Sequence, residues 1–401
     1  LTKDFVTDSI IESAIDDVMK MPRYSSLDKD DLFDLISYEH SSLYEEEAKI
    51  LINNLNHEEW FDESNDTGYH RDIEWKFWRD YKNHLIQNSK FSPNIVHGKN
   101  GINSTANKII AALDDPRREG IWDRRGLVVG EVQSGKTANY LGLITKAADA
   151  GYKVIIIIAG MLEELRKQTQ IRLEESFVGV NAIDNKEIGV GILSERTDEK
   201  TPFCVTNRES DFRKQRTQDT GNLSNITASA PYVIVVKKNL RVLNNLNDWL
   251  DSIRKNNEQH LIHKSMLLID DEADNASINT AYKRGAITKI NSQIRKILNL
   301  FSQASYVGYT ATPFANIFID PDSQKLIYSY KQKKENKEYE IKTEELNSRD
   351  LFPRDFIVGL EPPENYFGPK ALFGDEGKFE DGVIEIYDNE DYLTLDPKIH
   401  N

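Results

Sequence analysis

Two stretches of the 401-residue sequence concentrate groups suited to phosphate chemistry. The first, GLVVGEVQSGKTANYLGLITKA from Gly126 to Ala147, contains G-x-x-x-x-G-K-[ST] in full as Gly130, Gly135, Lys136 and Thr137. A β-branched run precedes it and a helix-like segment follows. In that setting the loop N–H groups, those of Gln133 and Ser134 included, ring an anion, and the helix N-terminus adds partial positive charge. Gly130 and Gly135 permit the tight turn, Lys136 reaches β- and γ-phosphates, and Thr137 offers an oxygen to Mg²⁺. The second stretch, SMLLIDDEADNAS, delivers Asp270, Asp271, Glu272 and Asp274 at the end of an apolar run. Ligands of parallel α/β sheets sit at such strand ends. Asp271 is the expected Mg²⁺ acid, acting largely through metal-bound water, and Glu272 the group that positions or deprotonates attacking water. Asp270 could share the metal role, and the sequence does not separate the two. The chemistry expected is hydrolysis of a nucleotide polyphosphate with Mg²⁺, carried by Lys136, Asp271 and Glu272.

The elements that must hold these groups are visible as short apolar runs. GLVVG, KVIIIIAG, YVIVVKK, SMLLIDDEAD and SYVGYTATP alternate mostly with helical stretches, the pattern of a parallel sheet covered on both faces. From Asn181 to Ala230 the sequence turns polar, an insertion or long connection with short strands at most. Leu1 to about Asn88 reads as three or four helices with apolar residues three and four apart. Its cluster of Trp75, Phe77, Trp78 and Tyr81 is read as helix core rather than a base-stacking face. Beyond Asp320, KLIYSYKQKKENKEYEIK looks like a hairpin with a basic tip. The expected division is an α-helical region over 1–95, an α/β lobe over 96–320, and the start of a strand-rich region, truncated, over 321–401.

The order of motifs then resembles a known superfamily. Asp271-Glu272-Ala273-Asp274 spells the DEAD signature of superfamily 2 helicases and translocases, and Thr310-Ala311-Thr312-Pro313 resembles their third motif. That resemblance implies coupling of the nucleotide site to a nucleic-acid groove through Thr310 and Thr312. Leu165, Arg166, Gln168 and Thr169 resemble motif Ia, which touches nucleic-acid backbone; Lys237, Lys238 and Asn239 sit where another contacting segment would be. The order is that of a first RecA-like P-loop NTPase lobe. More narrowly, DDPRREGIWDRRGLVVGEVQSGKTANYLGLITKAADAGYKVIIIIAG, LLIDDEAD, GYTATPFANIFID and LFPRDFIVGLEPPENYFG look like the Z1-domain family. These are helicase-like ATPases of prokaryotic restriction-modification and phage-defence loci. The likeness covers about Ser104 to Gly374. It implies an ATP-driven motor or switch acting on DNA beside a nuclease or other effector. No glutamine-arginine motif VI and no second lobe are found before Asn401. The isolated chain is therefore expected to bind ATP·Mg²⁺ but turn it over slowly, a missing arginine finger costing about 10³–10⁵ in rate.

Composition limits the alternatives. Hydrophobic residues at 39% with 29% charged fit a globular chain, and the net charge of −15 opposes indiscriminate DNA binding, though a local basic groove remains open. The chain begins with Leu1 rather than Met, as a processed or recombinant piece would. A single cysteine, Cys204, no secretory leader and no membrane-length apolar run make it a cytoplasmic protein by expectation. Asp322 with Glu340 and Lys342 imitates a nuclease pattern, but a lysine-rich hairpin accounts for it better. Arg117, Arg118, Arg124 and Arg125 either serve phosphate binding or pair with the acidic N-terminal helices. Trp122 among them stacks on adenine or packs in the core.

Overall fold

A computed structural model describes residues 51–52, 57, 60–61, 73–130, 135–193, 201–213, 230–255, 260–275, 277–278, 289–317, 319, 325–333, 339–347 and 349–360. The strands are β1 (Leu51–Ile52), β2 (Trp122–Gly130), β3 (Val154–Ala159), β4 (Phe203–Cys204), β5 (Tyr232–Lys237), β6 (Ile262–Asp271), β7 (Phe301–Thr310), β8 (Lys325–Lys333), β9 (Tyr339–Asn347) and β10 (Phe356–Leu360). Eight of them form one sheet in the order β1-β10-β2-β7-β6-β3-β5-β4. All are parallel except β1, which runs antiparallel to β10. This is the parallel α/β sheet of a RecA-like lobe. β8 and β9 form a separate antiparallel hairpin at the predicted place.

The strands are apolar throughout because both faces are covered. Ile155, Ile157, Val233, Val235, Leu267 and Ile269 project into one core, while Val154, Ile156, Ile158, Ile234, Val236, Met266 and Leu268 enter the other. The period-two pleat makes that sorting automatic. The first core lies beneath helices α1 (Lys76–Gln87), α2 (Pro93–His97), α3 (Ile102–Ala112) and α4 (Lys136–Ala150). After α5 (Glu163–Leu173) and the short α6 (Val190–Leu193), α7 (Leu240–Lys255) and α8 (Lys289–Asn299) cover the second. A last short helix, α9 (Phe314–Ile317), follows β7. No helix among the described residues is long and apolar enough to cross a membrane.

Two elements depart from the sequence reading. Leu51–Ile52, expected within a helix, is an edge strand paired with Ile357 and Phe356. Phe356–Leu360 then runs beside β2 from Gly126 to Gly130, so the α/β sheet continues past residue 320. Close contact fixes this pairing. The Phe356 ring lies over Gly126, where a β-carbon would fall 2.0 Å from its ζ carbon. The chain divides compactly into Leu1–Glu361 and Pro362–Asn401, the latter outside the described residues.

The aromatic cluster of α1 is interior. Phe77, Trp78 and Tyr81 are buried, and Lys146 of α4 lies 4.4 Å from the Trp78 ring centroid. Trp122 is also buried, edge-on to Tyr152. The arginine string makes carboxylate and carbonyl contacts among the described residues, while most of the acidic N-terminal segment it was expected to meet lies outside them. Arg124 and Arg125 are buried; Arg125 holds Asp123 at 2.9 Å and the carbonyls of Arg349 and Asp350, while Arg124 faces Asp355 at 3.6 Å. Arg117 and Arg118 pair with Asp115 and Asp114. These arginines therefore fasten the return segment 349–355 and a local turn.

Candidate nucleotide site

β2 ends at Gly130, and residues 131–134, with Gln133 and Ser134, lie outside the described residues. Gly135 closes the loop with φ +78°, the left-handed region that favours glycine, and α4 starts at the next residue. Lys136 folds back so that its Nζ donates to the Gly130 carbonyl at 2.8 Å. A helix N-terminus thus begins beside the end of β2, with a lysine side chain joining the two, an arrangement suited to a polyphosphate. Thr137, in the first turn, is half-exposed.

Strand register brings the acids to the same edge. Tyr309 of β7 stands opposite Val128 of β2 on one side and Asp271 of β6 on the other. Only one strand separates the loop from the acids, or about 10 Å at the usual interstrand spacing. The pleat also sends the two aspartates to opposite faces of the sheet. Asp270 follows Met266 and Leu268 into the second core, whereas Asp271 follows Leu267 and Ile269 toward the α4 face. Asp270 is fully buried, paired with Lys238 Nζ at 3.0 Å and accepting from the Tyr306 hydroxyl at 2.8 Å. It is thereby committed to holding β6. Asp271 is partly exposed, its carboxyl raised by burial, with Lys238 pulling it down and Glu272 and Asp270 pushing it up.

Glu272 is exposed and adopts φ +54°, a region L-residues with side chains enter at a cost. The backbone around it is over-determined. Lys238 Nζ donates to the Glu272 carbonyl and, at 3.0 Å, to that of Asn275; Ala273 N–H donates to Tyr309 O at 2.9 Å. The Glu272 carboxylate extends over Gly160 at the end of β3. Asp274, which the sequence reading left without a role, accepts from Thr310 Oγ1 at 2.8 Å and from Thr312 Oγ1. Thr312 N–H closes on Thr310 Oγ1 at 2.9 Å, so the TATP and DEAD segments form one bonded unit. The fourth letter of DEAD, beside two threonines awaiting an acceptor, was the signal available.

The expected nucleic-acid contacts fare unevenly. Gln168 is exposed, but Thr169 is buried and Arg166 fully so. Arg166 binds Glu163 at 2.7 Å and the carbonyls of Asn207 and Arg208, because the polar segment 201–213 folds over the inward face of α5. Lys238 is buried under the acidic loop as described. Arg166 and Lys238 cannot reach a polymer backbone from these positions, which corrects the expectation. Lys237 is half-buried and paired with Glu163 at 2.9 Å.

A profile of the family described as type III restriction enzyme, res subunit (ResIII), matches residues 78–315, more than half of the chain. No curated protein matched. Among solved structures, the crystal structure of the Pyrococcus furiosus Hef helicase domain aligns at 15% identity with a TM-score of 0.28. That alignment covers 47% of this chain and 30% of that one, so the chain spans under a third of its length.

Proposed function

Because the chain belongs to the family of the type III restriction enzyme res subunit, we propose that it is the first motor lobe of a helicase-like ATPase acting on DNA in a prokaryotic defence system of the Z1-domain kind. The observation that carries this reading is the register of β2, β7 and β6. It sets the C-terminal ends of β2, β7 and β6, which lead into the phosphate-loop, TATP and acidic sequences, side by side at one sheet edge. The residues suit ATP·Mg²⁺: Gly130, Gly135 and Lys136 hold phosphates, Thr137 and Asp271 supply hard oxygens to the metal, and Glu272 orients water. Gln133 and Ser134 complete the loop by sequence. Magnesium, when bound, neutralises charge on the β- and γ-phosphate oxygens. The Asp274–Thr310–Thr312 bonds suit transmission of the nucleotide state to a partner surface.

The test is ATP binding and turnover of the full protein with and without double-stranded DNA. Lys136→Ala is expected to abolish binding, and Glu272→Gln to retain binding while blocking hydrolysis. Nucleotide bound by Lys136→Ala as tightly as by the parent sinks the site. A second reading, a nucleotide-gated switch that recruits an effector without moving on DNA, draws support from the burial of Arg166 and Lys238. ATP-dependent assembly with a nuclease or other effector, indifferent to DNA, would distinguish it.

A further inference from the structure

Arg172 belongs to the last turn of α5, is exposed, and donates from Nη1 to Thr137 Oγ1 at 3.3 Å. Three elements meet there. Tyr140, one turn along α4 from Thr137, is fully buried and stands edge-on to Tyr309 at 5.6 Å between ring centroids, and Tyr309 is the register partner of Asp271. A guanidinium from α5, a hydroxyl from α4 and a carboxylate from β6 thus share one neighbourhood.

The charge balance of that neighbourhood is unusual. Arg118, Arg125, Arg166 and Arg208 each end on a carboxylate. Arg172, among the described residues, ends on a neutral hydroxyl, beside a helix N-terminus that is itself partly positive and carries Lys136. Cations gathered at a positive helix end are favourable when a polyanion arrives. The position of Arg172 is also anchored. α5 runs directly into a π-helical turn, Glu174–Val178, a form frequent at functional sites. Its first residue, Glu174, is fully buried and bonded to Gln170 at 2.9 Å and to Arg208.

We propose that Arg172 is a phosphate-binding residue of the nucleotide site, supplied by the same lobe that carries the phosphate loop, and that it exchanges the Thr137 hydroxyl for β- and γ-phosphate oxygens when a triphosphate enters. This rests on the nucleotide-site reading above. A planar fork matches phosphate oxygens bidentately, which an ammonium does not.

The experiment is titration of the full chain with a fluorescent ATP analogue and Mg²⁺, alongside thermal melting. Arg172→Ala is expected to weaken binding about tenfold or more with an unchanged Tm, one charge-assisted bond being of that size, and Arg172→Lys to fall between. Binding by Arg172→Ala within twofold of the parent overturns the proposal, as does an affinity loss that tracks a lowered Tm and is not recovered by lysine. Failure of the site reading looks different: the parent fails to bind, or Lys136→Ala binds equally, and Arg172 falls with it.

Discussion

At the scale of single residues, adjacent carboxylates in the acidic loop do different work because a strand alternates its faces. Asp270 closes a fully buried pair with Lys238, while Asp271 lies on the sheet face that the phosphate-loop helix covers. Lys238→Met strands a charge in the interior and should cost about 3–5 kcal/mol in urea unfolding; adding Asp270→Asn should recover much of that loss. Asp271→Asn, by contrast, should leave the unfolding midpoint close to the parent and weaken Mg²⁺-dependent nucleotide binding. Equal effects of the two aspartate substitutions on metal-dependent binding would contradict the division of labour. The sequence displayed these residues and their chemistry but left 270 and 271 unseparated, although the alternation was readable once the strand frame was known. Arg166 and Lys238 were misassigned for a related reason. A cation inside a motif looks the same in sequence whether it faces a polymer or a ring of carbonyls.

At the scale of elements, α1 starts without a capping side chain of its own, and Asp149 of α4 does that work from outside, accepting the N–H groups of Phe77 and Trp78 at 2.9 Å each. Burial pushes the Asp149 carboxyl up to about 7, against those hydrogen bonds and Lys146, which pull it down. A folded-state value above the unfolded one means the native state holds the proton more tightly. Stability from this group is present in full below about pH 4 and is lost as pH rises toward 7, by at most about 4 kcal/mol. Chemical denaturation between pH 4.5 and 8 (~) should show this decline in the parent and a flatter profile in Asp149→Asn. The helix over 76–87 was legible from its apolar spacing. Its cap was not, since the acid that supplies it lies over seventy residues away.

At the scale of the whole molecule, the sheet joins segments from Leu51 to Leu360. The five central parallel strands β2, β3, β5, β6 and β7 were legible as apolar runs, because each is buried on both faces. Strand β10, between β1 and β2, was not, because FIVGL is short and its partner is fixed by long-range contacts: the Phe356 ring over Gly126, and Asp355 accepting the Arg125 N–H at 2.7 Å. Gly126→Val should collide with that ring, lowering the Tm by several degrees and raising proteolysis after residue 349. An unchanged Tm would mean the two strands part easily. Arg125 and Asp355 stand 230 residues apart. At about 5–20 residues per second, the flank of the phosphate-loop strand waits roughly 10–50 s on the ribosome for its neighbour. Throughout that interval the nascent chain carries an open hydrogen-bonding edge, and a chaperone or a second nascent copy has time to find it.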